Sequence, residues 1–311
     1  MGGTVPGPTV SVRVAFATAR AEVVGPNDTD RPLHEEACAE AGLALEHVVW
    51  SDPGVPWAEY DLVVVRSTWD YVDQLDAYRT WLDRMGRLGT LHNPAAVIDW
   101  NLDKRYLVDL AAAGVPVIPT RVCPDAAAVD EALGDVSGEV VVKPAVSAGS
   151  RLTGRYAHGD RAAAELAGRI LDEGRAVLVQ PAVASVAAAG EVSTLLFDGA
   201  VSHSVRKGPL LALGGGLAGG TYAERLTPEE LTPARRAVVQ AAADAVGRLA
   251  GARFGVAGPL LYARIDVVTL DDGSEVVLEV ELAEPSFFLT VAPGAAGRFA
   301  AAVARRATAR A

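Results

Sequence analysis

The 311 residues predict a mixed α/β and α+β chain, an open α/β domain at the N-terminus followed by two smaller α+β subdomains. Three observations predict it. The first hundred residues alternate apolar, β-rich runs with amphipathic helical stretches, the pattern of a parallel sheet. The second half is mostly hairpins and long helices, with Asp198-Gly199 and Asp272-Gly273 each set between two strand-like runs. Half the residues are hydrophobic and 22% are charged, enough apolar material for a sizeable core and against a disordered chain.

Val12 to Thr18 reads as the first strand, and Thr29 to Gly42 as a helix with Pro32 early and Gly42 at its stop. Ala44 to Trp50 and Leu62 to Ser67 are further strands, the second nearly all apolar, as a strand buried on both faces should be. Leu75, Tyr78, Trp81, Leu82 and Met85 mark an amphipathic helix, and Asn93-Pro94 ends the unit, which places a first domain at residues 1–100. A helix over Leu102 to Ala113, stopped by Gly114 and Pro116, leads through an extended Pro116 to Cys123 into a small module. That module has a helix over Asp125 to Leu133, a strand over Glu139 to Pro144, a small-residue loop Ala145 to Ser150, a helix over Asp160 to Glu173 and a strand over Ala176 to Gln180. It is expected to form a central subdomain, 101–182. The remaining 183–311 carries the hairpins, a Gly-rich loop at Gly208 to Gly220, a helix through Pro228 to Ala250 and a closing helix near Gly297 to Thr308.

With 28 basic and 39 acidic side chains the net charge is -11, which excludes nucleic acid and anionic membrane as natural partners. No 18-residue uncharged apolar run occurs, the N-terminus lacks a basic segment followed by an apolar one, and two cysteines form no disulfide framework. The expectation is a cytoplasmic protein, monomeric or homo-oligomeric. Only three of the 28 basic residues are lysine, Lys104, Lys143 and Lys207. A chain that writes its ordinary cations as Arg keeps Lys where a compact ammonium is wanted, as a point-charge phosphate ligand. Lys143 ends a strand and is followed by Ser147, Gly149 and Ser150, a loop able to fold over phosphates the lysine holds. Gly214-x-Gly216-x-x-Gly219 matches a dinucleotide fingerprint but has no strand tightly before it and no helix opening on it, and neither a P-loop nor a GxSxG elbow is present.

A two-residue turn at Asp272-Gly273 sets Asp266 opposite Glu279 and Arg264 opposite Glu281, all on one side of the ribbon. Opposed carboxylates repel, and a divalent cation would resolve the repulsion. Oxygen-only donors suit Mg²⁺ or Mn²⁺. Seven acids and no Lys or Arg fall between Ile265 and Gly297; Asp271, Asp272 and Glu275 cluster at the hairpin tip, while Asp266, Glu279 and Glu281 lie among apolar neighbours. The same computation on Asp198-Gly199 sets Glu191 opposite Arg206 as a cross-strand salt bridge.

The order Asp103-Lys104-Arg105, Val142-Lys143-Pro144, Val179-Gln180-Pro181-Ala182-Val183, Gly190-Glu191, Arg206-Lys207, Arg264-Ile265-Asp266 and Glu279-Val280-Glu281 resembles the ATP-grasp superfamily of ligases from about residue 100 to the end. Arg66-Ser67-Thr68-Trp69-Asp70-Tyr71, Trp100 to Leu107 and Ser202 to Lys207 further resemble an actinobacterial subgroup that includes the O-ureido-serine cyclo-ligase of D-cycloserine biosynthesis.

The resemblance implies ATP between two α+β subdomains, with Lys104 and Lys143 on the α and β phosphates and Lys207 at the terminal phosphate. It also implies an adenine hinge at Gln180, Pro181 and Val183, and Glu191 on the adenosine hydroxyls. Asp266 and Glu279 would be metal carboxylates and Arg264 the cation that holds an acyl phosphate. At position 281 the family usually has Asn; Glu281 either joins the metal site or pairs with Arg264. The loops Ala145 to Arg151 and Gly208 to Tyr222 would close over the site. Arg66, Ser67, Thr68, Trp69 and Asp70, after a buried strand where open sheets bind ligands, are candidate substrate contacts, Trp69 equally a packing residue. Arg151, His203, Arg206, Gly215 and Gly216 complete that set. The implied activity is an ATP-dependent ligase that activates a carboxylate for attack by an amine on a small amino-acid-like substrate. The alternatives are ring closure within one molecule and a non-catalytic ATP-binding regulatory protein.

Overall fold

The computed structural model describes residues 12–217 and 225–308. The chain opens with β1 (Val12–Thr18), α1 (Ala21–Val24), α2 (Arg31–Glu40), β2 (Leu43–Val49), β3 (Leu62–Val65), α3 (Leu75–Leu88), β4 (Leu91–His92) and α4 (Ala95–Leu102). Its four strands pair in parallel in the order β2-β1-β3-β4. Val63 and Val65 face α3 through Tyr78, Trp81, Leu82 and Met85, whereas Leu62 and Val64 face the opposite side, so a four-residue apolar run is buried on both faces, as a central parallel strand requires.

Next come α5 (Tyr106–Ala112), β5 (Arg121–Cys123), α6 (Ala126–Asp135), β6 (Val140–Pro144), β7 (Gly154–Tyr156), α7 (Arg161–Asp172) and β8 (Val177–Pro181). The strands form an antiparallel sheet, β5-β8-β6-β7, packed on α6 and α7. Asp125 and Asp160 start the two helices by accepting from Ala128 N–H at 2.9 Å and Ala162 N–H at 3.0 Å.

The last part runs α8 (Ala184–Ala189), β9 (Glu191–Phe197), β10 (Ala200–Lys207), β11 (Leu226–Pro228), α9 (Pro233–Phe254), β12 (Tyr262–Thr269), β13 (Glu275–Glu281) and α10 (Ala295–Thr308). Its sheet has the order β11-β10-β9-β12-β13. One face packs on α9. The other contributes Leu195, Phe197 and Val205 to a core shared with Phe299 and Val303 of α10 and with Val14, Phe16 and Val64 of the first sheet. The last described helix thus closes the core of the first sheet.

Three expectations change. The single helix over Leu102 to Ala113 is two helices, α4 and α5, with Asp103 extended between them; the break releases the Lys104 N–H, which donates to Ala145 O at 2.8 Å. In the hairpin of β9 and β10 a bulge at Ser202 shifts the register by one, so Glu191 faces Lys207 and not Arg206; Arg206 instead pairs with Glu229 at 2.5 Å. In the hairpin of β12 and β13 the turn spans Leu270 to Gly273, and a bulge beyond Asp266 compensates, which restores the expected pairs Asp266 with Glu279 and Arg264 with Glu281. β7, α8 and β11 were not foreseen; each is six residues or shorter, and so few residues carry little periodic signal.

Candidate active site

A cavity of about 800 Å³ lies between the central and C-terminal sheets and reaches the first sheet. All nine candidate nucleotide contacts line it: Lys104, Lys143, Ser147, Gly149, Ser150, Gln180, Pro181, Val183 and Glu191. Lys207, Arg264, Glu279 and Glu281 line it too, and Asp266, 1% exposed, sits directly beneath. The three lysines come from three places, the break between α4 and α5, the end of β6 and the end of β10. Each is less than a tenth exposed.

Acids of the two hairpins pair with Lys104 and Lys207. Lys104 Nζ lies 3.2 Å from Glu279 and donates to Ser147 O at 2.8 Å. Lys207 bridges Glu191 and Asp266, the latter at 3.1 Å. Arg264 donates from two nitrogens to the two Asp266 oxygens at 3.0 Å and also pairs with Glu281. Burial opposes the charge of Asp266, yet Arg264 and Lys207 hold its carboxyl down at about 2. Burial, reinforced by the charge of Lys104, lowers Lys143 from the ordinary lysine value. Burial also works against Lys104, but Glu279 beside it carries that ammonium above its ordinary value. Burial and the nearby Glu279 and Asp266 raise Glu281 in spite of Arg264.

The donor set fits a hard divalent cation: two carboxylates, Asp266 and Glu279, stand opposed in register with only oxygen donors at their tips. As the side chains stand, no group of three Asp, Glu, His or Cys among the described residues converges on one point; Lys207 and Arg264 hold Asp266, and Lys104 holds Glu279. Of the two roles open to Glu281, the structure shows the pairing with Arg264.

The substrate candidates are dispersed. Trp69 lines the cavity. Arg66 is buried behind it, 3.8 Å from Asp30 and stacked 3.5 Å above the Phe287 ring. Ser67 bonds Asp28, Thr68 bonds Tyr78 at 3.1 Å, and Asp70 accepts from the Trp50 indole at 2.7 Å. Arg151 pairs with Asp73, and His203 lies 2.7 Å from Phe287 O. Arg206 holds Glu229. Gly215 and Gly216 line a separate hollow beside Tyr156 and α7, where a Cβ on Gly215 would stand 2.7 Å from the Tyr156 hydroxyl. The backbone N–H of Gly214 and Gly215 donates to Arg155 O, which ties this loop to β7. The 218–222 part of the expected lid, with Gly219, lies outside the described residues.

Several residues of the site escape sequence reasoning. Phe288 has φ +56° and lies under both Lys207 (5.9 Å) and Arg264 (5.3 Å); a left-handed aromatic residue is backbone strain held at a site, and no motif announces it. Asn93 clasps the main chain of Leu261, Tyr262 and Leu282, and Asn101 that of Val280 and Leu282. They hold the ends of β12 and β13, which carry the acids. Tyr71, Glu284 and Ser286 line the cavity on the side of the first sheet; Tyr71 was legible as the last residue of the Arg66 to Tyr71 run.

A nucleotide-sized cavity between two antiparallel sheets, with three buried lysines above opposed carboxylates, defines an ATP-grasp ligase. Residues 14–93 match the family model described as D-cycloserine synthetase DcsG, N-terminal domain. The chain is 38% identical over 291 residues to the cycloserine biosynthesis protein DcsG of Streptomyces lavendulae, covering 90% of this chain and 95% of that protein. It therefore belongs to the DcsG family. The crystal structure of D-cycloserine synthetase DcsG superposes with a TM-score of 0.87 at 37% identity, over 95% of this chain and 99% of that one. D-alanine–D-alanine ligase from Bacillus anthracis complexed with ATP superposes with a TM-score of 0.66 at 13% identity, over 96% and 98% of the two chains, a likeness of fold. No described helix is long and apolar enough to cross a membrane.

Proposed function

We propose that this ligase transfers the γ-phosphoryl group of ATP to the carboxylate of a small amino-acid-like substrate, and that a second nitrogen of the same molecule, not its α-amine, then attacks the acyl phosphate, loses its proton and closes a ring as phosphate leaves. The observation that carries the reading is the convergence of Lys104, Lys143, Lys207 and Arg264 on one cavity above Asp266 and Glu279. Phosphoryl transfer spreads charge over the transferring oxygens, so placed cations supply most of what catalysis needs.

In this reading Lys104 and Lys143 hold the α and β phosphates under the Ser147, Gly149 and Ser150 loop, and Lys207 takes the terminal one. Gln180, Pro181 and Val183 face adenine and Glu191 the ribose hydroxyls. The Gln180 amide donates to Thr120 at 2.8 Å, which leaves the backbone of this segment to read the base. Asp266 and Glu279 would hold Mg²⁺, or Mn²⁺, which supplies charge neutralisation at the phosphate oxygens. Arg264, whose fork now spans Asp266 and Glu281, would turn to the acyl phosphate and then to the tetrahedral intermediate. The three parts, 1–100, 101–182 and 183–311, would act as substrate platform, nucleotide cover and metal-bearing base. Ring closure is preferred to joining two molecules because of the likeness to D-cycloserine synthetase, and that likeness favours a role in antibiotic biosynthesis.

An ADP-release screen of amino acids, dipeptides and both enantiomers of O-ureido-serine, with and without Mg²⁺, tests the reading. Activity that requires Mg²⁺ and one panel member is expected, with loss of at least 100-fold in Lys143→Ala and Glu279→Ala. Near-normal turnover in both variants would sink the assignment. Mass spectrometry separates ring closure from joining of two molecules.

A further inference from the structure

The cavity has a further wall on the side of the first sheet. Past β13 the chain passes Ala283, Glu284 and Ser286 along the wall, where they meet Trp69 and Tyr71 from the loop after β3 and Asn27 and Thr29 from the loop before α2. This wall is pinned. The Tyr262 hydroxyl donates to Ala283 O at 2.8 Å, Asp30 accepts from Phe287 and Leu289 N–H at 2.6 and 2.8 Å, and the Trp69 indole donates to Glu284 O at 3.4 Å.

The other acids on or under the cavity wall are each matched by a cation of the chain: Glu191 by Lys207, Asp266 by Arg264 and Lys207, Glu279 by Lys104, Glu281 by Arg264. Glu284 differs. Lys104 acts on its carboxyl group as a charge without an ion-pair contact, and the Tyr71 hydroxyl faces it. Among the described residues no Lys, Arg or His nitrogen stands within ion-pair distance of it. Burial pushes this carboxyl up to about 7 against the opposing pull of Lys104 and the Tyr71 hydroxyl. A half-buried carboxylate held on a pinned loop with no cation in ion-pair contact is costly, and a ligand cation entering the cavity would offset that cost. The surroundings choose which cation: two aromatic rings and one carboxylate suit a compact organic ammonium, whereas a second divalent ion would need several more oxygen ligands.

We propose that Glu284 is a specificity-determining residue that binds the ammonium group of the substrate between Trp69 and Tyr71, and thereby turns the substrate carboxylate toward Lys207 and Arg264. The inference rests on the ligase reading above.

The experiment compares wild type and Glu284→Gln on two probes, O-ureido-serine and 3-(ureidooxy)propanoate, which lacks the α-amino group, by ADP release and by calorimetric binding. Should another amino acid of the screen be the better substrate, it and its deamino form replace the pair. Wild type is expected to prefer the amino form about 100-fold in kcat/KM and in affinity, the scale of one charged hydrogen-bonded contact. Glu284→Gln should retain only a few-fold preference, with KM for ATP and the Mg²⁺ requirement unchanged. An undiminished preference in the variant overturns this inference alone, as does a raised Mg²⁺ requirement with the preference intact. A wild type that releases ADP with no amino acid overturns the ligase reading and this inference together.

Discussion

Gly190 shows how narrowly single residues constrain the site. It ends α8 at φ +78°, and a Cβ there would stand 1.7 Å from Lys207 O. That contact is with backbone, which has no rotamer to escape into. Gly190→Ala is expected to cost at least about 2 kcal/mol and to separate Lys207 from Glu191, read as a lower melting temperature with a raised KM for ATP. Lys143→Arg tests the lysine argument directly. The buried site holds a point charge, and a planar fork needs more room, so KM for ATP should rise at least 10-fold while the melting temperature moves little. The rarity of lysine was legible in the sequence because composition carries it. Phe288 was not, since its position under two cations depends on a left-handed turn that no spacing encodes.

Among the elements, caps and bulges decide what propensity cannot. Asp160→Ala removes the acceptor for Ala162 N–H at the start of α7 and should destabilise by about 1 kcal/mol, seen by thermal melting, with the nucleotide KM unchanged because α7 packs behind the central sheet. The two hairpins illustrate the limit of register arithmetic. Asp-Gly located both turns, but one extra residue, Ser202, moved Lys207 opposite Glu191. In the other, a longer turn and a bulge cancelled, so Asp266 and Glu279 met as expected. Bulges relieve strain between neighbouring strands, and that strain comes from the whole sheet.

For the molecule as a whole, α10 joins the end of the chain to its first sheet around Phe16, Phe287 and Phe299. His34 and His47 are packed into this aromatic group; among the described residues their ring nitrogens make no hydrogen bond, Glu35 standing 3.6 Å from His47 Nε2. Burial lowers His47 to about 4 and His34 further. The unfolded chain titrates near 6.5, so as pH falls below that value it takes up protons that the folded chain refuses, and the contribution of His47 is lost progressively down to about pH 4. His47→Gln should therefore lose less stability than wild type between pH 7.5 and 4, by on the order of 3 kcal/mol; parallel pH profiles of denaturant unfolding for the two proteins would refute this. The tie at Asp30 is the second whole-molecule device. Asp30→Ala strands the buried N–H groups of Phe287 and Leu289 and should cost about 2–4 kcal/mol, measured by denaturant unfolding.

The sequence alone determined the parallel first sheet, the two hairpins and their Asp-Gly turns, and the three lysines, because apolar period, turn chemistry and composition are local properties of the chain. It also carried the family motifs, which are short strings. The tertiary structure decided the rest. It showed that Lys104 sits in a helix break, that Glu191 answers Lys207, and that of the run from Arg66 to Asp70 only Trp69 lines the cavity while the others hold the wall. It also brought Glu284 and Tyr71, more than 200 residues apart in the chain, to one wall of the cavity. Such pairings follow from how three sheets and one closing helix share a core, and that packing is a non-local balance which no window of sequence contains.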